Sequence, residues 1–507
     1  MAAQNYNLYQ HFQQQITRQA DKVLLLTDTD QAYSYADIER ESARLARFLT
    51  DLGIEPGDRI SVQVPKSPQA MCLYLACLRG GFVFHPLNTG YRVGELQYFL
   101  ENAEPALVVC DGSGVETIQA LVDAAGISHL LTLDAKGEGS LIDQSRGCEA
   151  DFGVVARGAD DLAALLYSSG TTGVPKGIML THNNLLSNAE ALVEAWGFSD
   201  RDVLLHALPI FHVHGLFVAL GCVLLSGASM RWMAGFNAAQ AIGYLPECTV
   251  MMGVPTYYTR LLAADDFTKE TVGNIRLFVS GSAPLLEETF ADFEARTGHC
   301  ILERYGMTET SMNTSNPLQG ARKPGTVGLP LPGVEVRIMD DSGHAVPIGE
   351  IGNLQIRGAN VFKGYWKMAG KTAEDFTDDG FFDTGDKGRI GEDGYVSIVG
   401  RAKDMVITGG LNVYPKEIEL LIDDLPGVKE SAVIGLPHAD FGEGIVAVVV
   451  REPGKNLIEV DVIGPIKENL ANFKVPKRVI FVDELPRNTM GKVQKNLLRD
   501  AYKNLFQ

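Results

Sequence analysis

Residues 163–177 read AALLYSSGTTGVPKG, an apolar run that passes directly into a loop of glycines and hydroxyl side chains. The apolar run predicts a buried β-strand. The loop, residues 168–177, contains three glycines, four hydroxyl side chains and Lys176, a composition that suits close contact with phosphate oxygens. The GxxxxGK[ST] pattern is absent, because Lys176 lies three residues after Gly173 and no Ser or Thr follows it. Taken alone, the stretch fits an ordinary turn as well as a phosphate site.

The composition is that of an ordinary soluble globular protein. The chain has 507 residues, enough for two or more domains, and 46% of them are hydrophobic and 21% charged. Its net charge of −19 argues against nucleic acid or an anionic membrane surface as the main partner, so an anionic ligand must be held by clustered cations. Seven cysteines without CxxC or metal-like spacing indicate reduced thiols.

No targeting or membrane-spanning segment is evident in the sequence. The first 19 residues lack the apolar centre of a signal peptide, and Leu8, Phe12 and Ile16 are spaced as on an amphipathic helix. The apolar run 215–228 is too short to span a bilayer and predicts a core helix. The C-terminal NLFQ has no lipidation or peroxisomal signal. We therefore expect a cytoplasmic protein.

The order of apolar runs predicts a large α/β domain. Short strand-like runs alternate with longer amphipathic segments from about residue 60 to 330, which predicts doubly wound parallel α/β layers. These runs are RISVQVP (59–65), ALVVC (106–110), AALLY (163–167), TVMMGV (249–254) and RLFVS (276–280).

The last third of the chain has a different character. Residues 334–400 contain β-rich pieces separated by Gly and Asp, which predict a small antiparallel sheet or β-barrel appended to the α/β body. After residue 400 the pattern predicts a compact, mobile α+β domain. We therefore predict two domains, residues 1–400 and 401–507, joined by a short hinge.

Four further motifs follow the loop in a fixed order. YSSGTTGVPKG (167–177) is followed by the series ERYGMTET (303–310), FFDTGD (381–386), GRAKDMVITGG (400–410) and PRNTMGKVQK (486–495). Together they closely resemble the motifs of the adenylate-forming acyl-CoA synthetase superfamily, with Ser168 where threonine is usual. The likeness covers essentially the whole chain. The strings HALPIFHVHGLF (206–217), GVPTYYTRLL (253–262) and ERYGMTETSMNTSNP (303–317) most resemble the malonyl-CoA synthetases of that superfamily.

This resemblance implies a reaction in two steps. A carboxylate attacks the α-phosphorus of ATP to give acyl-AMP and pyrophosphate, and the thiol of coenzyme A then displaces AMP. The first step brings two anions together, so cations and Mg²⁺ are needed to stabilise the charge. The implied substrate is malonate. Methylmalonate is a further candidate, because one extra methyl group changes discrimination by only about 1–3 kcal/mol.

The resemblance also assigns residues to ATP. Thr171, Thr172 and Lys176 are expected to hold the β- and γ-phosphates, and Glu309 with Thr171 is expected to bind Mg²⁺. Lys492, Glu309, Thr171 and Lys176 are the expected catalytic residues. The residues expected to bind ATP are Ser168, Ser169, Gly170, Thr171, Thr172, Gly173, Lys176, Gly281, Ser282, Ala283, Glu303, Arg304, Tyr305, Gly306, Thr308, Asp386, Arg401 and Lys492. Among them, Tyr305 is expected to stack on adenine, and Asp386 and Arg401 to bind the ribose.

The implied mechanism depends on movement of the C-terminal domain. Lys492 is expected to bridge the substrate carboxylate and the α-phosphate during adenylation, and Lys403 is the expected hinge. Rotation would then withdraw Lys492 and present Gly409 and Gly410 to the pantetheine arm of coenzyme A. Glycine suits that position because a narrow tunnel needs backbone without Cβ.

A dicarboxylate needs a partner for its second carboxylate. We expect Arg260 to provide a planar, two-pronged donor inside a closed pocket, with Ser282 adding a hydroxyl. His212 is expected at the entrance, and Gly306 and Met307 complete the predicted substrate site. A metal site at His206, His212 and His214 is a minor alternative, because the stretch offers no Cys or carboxylate to complete it. His214 is expected to pack or to hydrogen-bond locally.

Other functions stay open at this point. The chain could be a synthetase for another small carboxylate, or a stand-alone adenylation enzyme that loads a carrier protein. A non-catalytic nucleotide-binding protein is a more remote alternative, against which Lys492, Glu309 and the intact loop all count. The expected partners are a small dicarboxylate, ATP and coenzyme A, with no nucleic acid and no membrane. The oligomeric state is open between monomer and homodimer.

Overall fold

The structure, a computed structural model, describes residues 5–168, 174–283, 285, 287–401, 405–413, 415–486 and 493–506. In the first part of the chain the strands are β1 Val23–Thr27, β2 Ala32–Ser34, β3 Arg59–Gln63, β4 Val83–Pro86, β5 Leu107–Cys110, β6 His129–Thr132, β7 Leu162–Ser168, β8 Lys176–Thr181, β9 Val203–His206, β10 Ser229–Trp232, β11 Val250–Gly253, β12 Leu277–Ser280, β13 Leu302–Met307, β14 Ser311–Ser315 and β15 Leu329–Pro330. They are followed by β16 Val334–Met339, β17 Gly352–Gly358, β18 Gly364–Tyr365, β19 Phe382–Ile390, β20 Val396–Arg401, β21 Val406–Thr408, β22 Leu411–Val413, β23 Val428–His438, β24 Gly442–Arg451 and β25 Arg478–Val482.

Helices lie between most of these strands. They are α1 Leu8–Arg18, α2 Tyr35–Asp51, α3 Pro68–Gly80, α4 Val93–Ala103, α5 Val115–Ala125, α6 Ser140–Ser145, α7 His182–Trp196, α8 Leu220–Ser226, α9 Ala238–Tyr244, α10 Pro255–Leu262, α11 Glu287–Thr297, α12 Ala369–Asp375, α13 Pro415–Asp423, α14 Glu459–Asn469 and α15 Lys495–Tyr502. Within the described ranges, every helix is too short or too polar to cross a lipid bilayer.

Two large sheets contain the predicted parallel strands. One has nine strands in the order β15-β14-β13-β12-β11-β9-β10-β1-β2, and the other has seven in the order β18-β8-β7-β4-β3-β5-β6. Strands β13, β12, β11, β9, β10 and β1 of the first sheet pair in parallel, and so do β7, β4, β3, β5 and β6 of the second. By contrast, β8 beside β7 and β14 beside β13 are antiparallel. The predicted strands coincide with β3, β5, β7, β11 and β12. The doubly wound α/β prediction is confirmed.

The pattern of burial explains these parallel strands. All four residues of β5 and of β12 are buried, as expected of strands that are covered on both faces by helices. Helix α1 buries Leu8, Phe12 and Ile16 against the same core, as their spacing predicts. The Asn7 side chain caps this helix by accepting from the Tyr9 backbone N–H.

The β-rich segment forms a separate antiparallel sheet. Its order is β16-β17-β19-β20, so β16 and β20 are its outer strands. The four strands form the open antiparallel sheet that was one of the two predicted alternatives, and the closed barrel is not formed among the described strands. No described pairing joins β16 to β20.

The C-terminal part of the chain has its own sheet and core. Strands β22, β21, β24 and β23 pair antiparallel, and β25 adds in parallel to β24. One sheet ends with β20 and the next begins with β21, so the change falls near the predicted boundary at residue 401. We call residues 5–401 the N-terminal unit and residues 405–506 the C-terminal unit. The hinge at Lys403 lies outside the described residues and stays a prediction.

Candidate active site

The glycine-rich stretch 168–177 connects two antiparallel strands, β7 and β8. Ser168, at the end of β7, lies opposite Lys176, at the start of β8. The Ser168 hydroxyl donates to Glu309 Oε1 over 3.5 Å, so the structure brings these two predicted residues together. Lys176 Nζ lies 4.4 Å from the ring centre of Tyr365 and 3.8 Å from Asp375 Oδ2. The predicted ATP ligands between these strands, Ser169, Gly170, Thr171, Thr172 and Gly173, lie outside the described residues.

A cavity of about 430 Å³ between the two units is lined by ten of the predicted site residues. The predicted residues that line it are His212, Ser282, Ala283, Glu303, Arg304, Tyr305, Gly306, Met307, Thr308 and Asp386. The C-terminal unit contributes Met405, Val406, Ile407, Asn412, Gly435, Glu443 and Arg499. Residues expected to bind ATP and residues expected to bind the carboxylate therefore share one cavity.

The cavity lies where the parallel strands β12 and β13 end. This is the usual position of ligands in open α/β sheets, because loops leave the carboxyl ends of the strands there. Gly281 follows β12, and a Cβ at Gly281 would lie 2.3 Å from Arg304 Cζ, so only glycine fits beneath that guanidinium. Ser282 has a φ of 70°, a strained backbone region that often marks functional sites.

A bulge in β14, opposite Tyr305 and Gly306 of β13, lies beside the predicted nucleotide residues. The register between β13 and β14 shifts between Tyr305 and Gly306, and a Cβ at Gly306 would lie 1.9 Å from Ser311 O. The Tyr305 hydroxyl donates to Asp386 Oδ2 over 2.6 Å. Asp386 in turn lies opposite Arg401 in the β19–β20 register. The residues predicted for adenine and for ribose are therefore neighbours.

The three predicted histidines occupy different environments. Burial, and then the charge of Arg304, lowers the pKa of His212 to about 4 and that of His214 well below its ordinary value. His214 Nδ1 lies 3.3 Å from Ser282 Oγ, and His214 begins a buried π-helical turn, His214–Ala219. His206 Nδ1 is 2.8 Å from Lys66 Nζ, and its ring stacks on Trp232. Within the described ranges, His, Cys, Asp and Glu side chains do not converge in groups of three or more that could hold a metal ion.

Two adjacent residues of β13, Glu303 and Arg304, have ionisable side chains that are buried. Arg304 is 3% exposed, and burial lowers the pKa of its guanidinium to about 9. Among the described residues, its Nε and Nη2 have no hydrogen-bond partner. Glu303 is 7% exposed, and burial raises the pKa of its carboxyl to about 7 even though its Oε1 accepts from the Leu285 backbone N–H.

Arg260 does not lie where we expected it. Its side chain is 46% exposed and pairs with Asp440 of the C-terminal unit, 180 residues further along the chain. Nε and Nη2 both donate to this carboxylate, at 3.3 and 3.2 Å. Helix α10 buries Tyr258 and Leu261, which leaves Arg260 on its outer face. The prediction of a closed pocket around Arg260 is therefore wrong for this structure, because the two-pronged edge of its guanidinium faces the other unit. The role of Arg260 toward substrate stays a prediction.

A second, narrow cavity of about 80 Å³ adjoins the first, since His212 and Thr308 line both. It is also lined by Tyr91, Leu411 and Lys474. Gly409 and Gly410, with φ of 57° and 78°, form the tight turn between β21 and β22 beside it. A Cβ at Gly410 would lie 2.8 Å from Val254 of the N-terminal unit. The predicted coenzyme A residues therefore lie at the contact between units.

Lys474 and Glu95 form a buried ion pair that was not predicted from the sequence. Lys474 Nζ donates to Glu95 Oε1 over 2.6 Å and to Glu417 Oε1 over 2.8 Å, and all three side chains are nearly inaccessible. The sequence did contain a signal for Glu95. It lies four residues before the buried Phe99, so it places a carboxylate on the apolar face of α4. The predicted catalytic Lys492 lies outside the described residues.

Comparisons with known proteins agree with the geometry. A family model described as AMP-binding enzyme matches residues 12–366, and one described as AMP-binding enzyme C-terminal domain matches residues 417–492. The chain is 33% identical to malonate–CoA ligase from Arabidopsis thaliana, over 96% of this chain and 87% of that protein. It is 36% identical to feruloyl-CoA synthase from Amycolatopsis sp, over 93% and 94%. The crystal structure of ATP-bound MatB from Rhodopseudomonas palustris is 52% identical, with a TM-score of 0.79, over 99% of this chain and 100% of that one.

Proposed function

The chain belongs to the family of AMP-binding enzymes, and on that basis we propose that it is an AMP-forming ligase that joins malonate to coenzyme A. The observation that carries this proposal is the single cavity in which the residues assigned to ATP and to the carboxylate meet. The 33% identity to a malonate–CoA ligase over nearly the whole chain supports the choice of substrate. Methylmalonate is the proposed secondary substrate.

In the first step, an oxygen of the malonate carboxylate forms a bond to the α-phosphorus of ATP. The bond from that phosphorus to the bridging oxygen breaks, and pyrophosphate leaves. Tyr305 and Asp386 would hold the nucleoside, and Lys492 would bridge the carboxylate and the α-phosphate. The buried Glu309 beside Ser168 offers the oxygen donors that Mg²⁺ prefers, so these residues fit the metal. When bound there, Mg²⁺ would neutralise phosphate charge.

In the second step, the sulfur of coenzyme A attacks the acyl carbon, AMP leaves, and the thiol proton is released. The narrow cavity leads to His212 and Thr308 at the wall of the larger one, so it offers a route for the pantetheine arm. Gly409 and Gly410 turn beside this route without side chains. The contact of Gly410 with Val254 suggests that the units are arranged for this second step.

One alternative has specific support, and a second shares only the first step. The 36% identity to a feruloyl-CoA synthase supports the alternative that the chain ligates another acid to coenzyme A. A carrier-loading adenylation enzyme would use the same first step with a different acceptor.

The test is a screen of pyrophosphate release with acetate, malonate, methylmalonate, succinate and oxalate, followed by mass analysis of the product with coenzyme A and with a carrier protein. We expect malonate to give the highest kcat/KM, methylmalonate the next, and malonyl-CoA as the product. A higher kcat/KM for another acid would replace malonate as the substrate. Pyrophosphate release without thioester formation on coenzyme A would favour the carrier-loading alternative, and no release at all would contradict the ligase proposal.

A further inference from the structure

Four asparagines are buried together behind the turn that carries Glu309. They are Asn184 and Asn188 on α7, Asn313 on β14 and Asn360 in the segment after β17, and none is more than 7% exposed. An asparagine amide is costly to bury unless its hydrogen bonds are made, so asparagines are mostly exposed. The two reaction steps described above use none of the four. We call these residues the asparagine network.

Asn360 is hydrogen-bonded to the backbone beside Glu309. Its Nδ2 donates to Thr310 O over 2.7 Å and to Asn313 Oδ1 over 3.1 Å. The backbone N–H of Phe362, two residues further on, donates to the carbonyl of Glu309 itself over 2.8 Å. Two successive carbonyls, those of Glu309 and Thr310, are therefore held by one short segment of chain.

The turn between β13 and β14 depends on such support because its backbone is strained. Ser311 has a φ of 51°, in the left-handed region, which a residue with a Cβ keeps only where its surroundings enforce it. Within the turn, the Thr310 N–H donates to Met307 O over 3.2 Å, and the Thr310 hydroxyl accepts from Asn313 Nδ2 over 2.7 Å. Without the network, the turn would relax and carry Glu309 with it.

The asparagine network also joins this turn to the strand that follows the glycine-rich stretch. Asn184 Nδ2 donates to Ala359 O and to Val361 O, each over 2.8 Å, on both sides of Asn360. Asn184 lies in the first turn of α7, which follows β8 directly, and β8 begins at the end of the glycine-rich stretch. One segment of backbone therefore fixes the position of Glu309 relative to that stretch.

A fixed position of Glu309 has a chemical consequence. Glu309 is 6% exposed, and its Oε1 accepts from Ser168 Oγ over 3.5 Å, so the carboxylate itself is confined. Mg²⁺ requires a nearly ideal octahedral set of oxygens at about 2.1 Å, whereas Ca²⁺ accepts irregular sets at about 2.3–2.6 Å. A carboxylate held in one position can distinguish the two ions, and a mobile one cannot.

We propose that Asn360 is a positioning residue that holds Glu309 in place for Mg²⁺ and against Ca²⁺, a role that rests on the ATP-dependent ligase function proposed above. Asn360 acts through the backbone of Thr310 and does not contact the ion. Asn184 and Asn313 support it from one step further away, since they bond to the segment and to the amide of Asn360.

The test measures the Kd for ATP by titration calorimetry without metal, with Mg²⁺ and with Ca²⁺, on wild type and Asn360→Ala. Asn360→Ala should weaken the binding of ATP with Mg²⁺ about 10-fold, the effect of losing a group that orients a metal ligand. ATP with Ca²⁺ should weaken less, and metal-free ATP should bind as before, so the preference for Mg²⁺ over Ca²⁺ falls. The Mg²⁺ concentration for half-maximal pyrophosphate release should rise, with little change in kcat at saturating Mg²⁺.

Asn7→Ala is the matched control. Asn7 is 0% exposed, and its Nδ2 also donates to two backbone carbonyls, Leu78 O over 2.7 Å and Val155 O over 2.8 Å, outside the large cavity. This variant should lower the thermal midpoint, as Asn360→Ala does, and leave the preference for Mg²⁺ unchanged. The comparison separates loss of stability from loss of ion selectivity.

Asn313→Ala is the second variant of the asparagine network. It removes the donor to Thr310 Oγ1 and one acceptor of Asn360, but it keeps the amide of Asn360. The preference for Mg²⁺ should therefore fall in the same direction by a smaller factor. This variant also provides the measurement if Asn360→Ala is too unstable to titrate.

The outcomes separate this role from the ligase function. If wild type neither binds ATP with Mg²⁺ nor releases pyrophosphate, both are overturned. If wild type forms the thioester but binds ATP equally well with Mg²⁺ and with Ca²⁺, the role of Asn360 is overturned and the ligase function stands. If wild type prefers Mg²⁺ and the preference survives in Asn360→Ala and Asn313→Ala, or falls as much in Asn7→Ala, the role of Asn360 alone is overturned.

Discussion

Lys474 Nζ, in the C-terminal unit, lies 2.6 Å from Glu95 Oε1 on helix α4 of the N-terminal unit. Glu417 completes the group at 2.8 Å, and the Ala471 backbone N–H donates to the other oxygen of Glu95 over 3.0 Å. The two contacts to Glu95 exist only while the units keep this arrangement, whereas Lys474 and Glu417 belong to the same unit. They form a buried ionic contact that holds the C-terminal unit beside the narrow cavity.

We expect Glu95→Gln to slow thioester formation and to spare adenylation. A hydrogen bond to a charged group contributes about 1.5–3 kcal/mol, so the rate of malonyl-CoA formation from supplied malonyl-AMP should fall about 10- to 100-fold. The measurement is single-turnover thioester formation beside pyrophosphate release from malonate and ATP. Equal loss in both assays would contradict a role confined to one arrangement of the units.

Asp440→Asn is the control for Glu95→Gln. Asp440 also joins the two units, through Arg260, but both of these side chains are 46% exposed. Exposed ion pairs contribute about 0–1 kcal/mol, so this variant should change thioester formation by about fivefold at most. If Asp440→Asn slowed thioester formation as much as Glu95→Gln does, the burial of the Glu95 contact would not explain its effect on that step.

Gly410→Ala should impair the same step for a steric reason. The added methyl group would lie 2.8 Å from Val254 Cγ1, and the φ of 78° strains any residue with a side chain. Gly409→Ala carries a similar strain, but its methyl group would lie 3.7 Å from the nearest atom, on Phe441, so it should lose less activity. Val254→Ala should partly restore thioester formation in Gly410→Ala; failure to do so would place the defect within the turn itself.

Glu303→Gln should stabilise the protein at high pH. Because burial raises the pKa of this carboxyl from 4.5 to about 7, the folded state keeps its proton between these values while the unfolded state releases it. Stability is therefore lost as the pH rises through this window, by about 3 kcal/mol in total above pH 7. Urea unfolding without nucleotide should give a larger gain for Glu303→Gln at pH 8 than at pH 5. The same difference from wild type at both values would contradict the assigned pKa.

Lys492→Ala should separate the two steps in the opposite sense. If Lys492 contacts the reacting groups only during adenylation, the variant should lose pyrophosphate release from malonate and ATP. Thioester formation from supplied malonyl-AMP should remain close to wild type. Quantifying both steps on one preparation tests this, and a similar loss in both would argue against alternation of the C-terminal unit.

Local patterns in the sequence predicted much of the fold. The apolar runs at β5, β7 and β12 could be predicted as strands, because a run of apolar residues is a property of adjacent positions in the sequence. The spacing of Leu8, Phe12 and Ile16 gave helix α1 for the same reason. The motifs also identified ten of the residues that line the large cavity, among them Tyr305 and Asp386.

Contacts between distant parts of the chain were not predictable. The sequence neighbours of Arg260 are apolar and indicate a buried charge. They do not indicate that Arg260 pairs with Asp440 of the other unit. Lys474 and Glu95 are 379 residues apart, so no local period links them.

The π-helical turn His214–Ala219 has a consequence for how the chain tolerates length changes. Such a turn accommodates one residue more than a regular α-helix would over the same rise. Deletion of a single residue within 215–219 would let the segment relax into α-helix continuous with α8, Leu220–Ser226. Because the π-helical turn absorbs its extra residue locally, the chain on either side would keep its phase about the helix axis, and His214 would stay beside Ser282. This turn is therefore a place beside the cavity where the chain can lose one residue without displacing its neighbours.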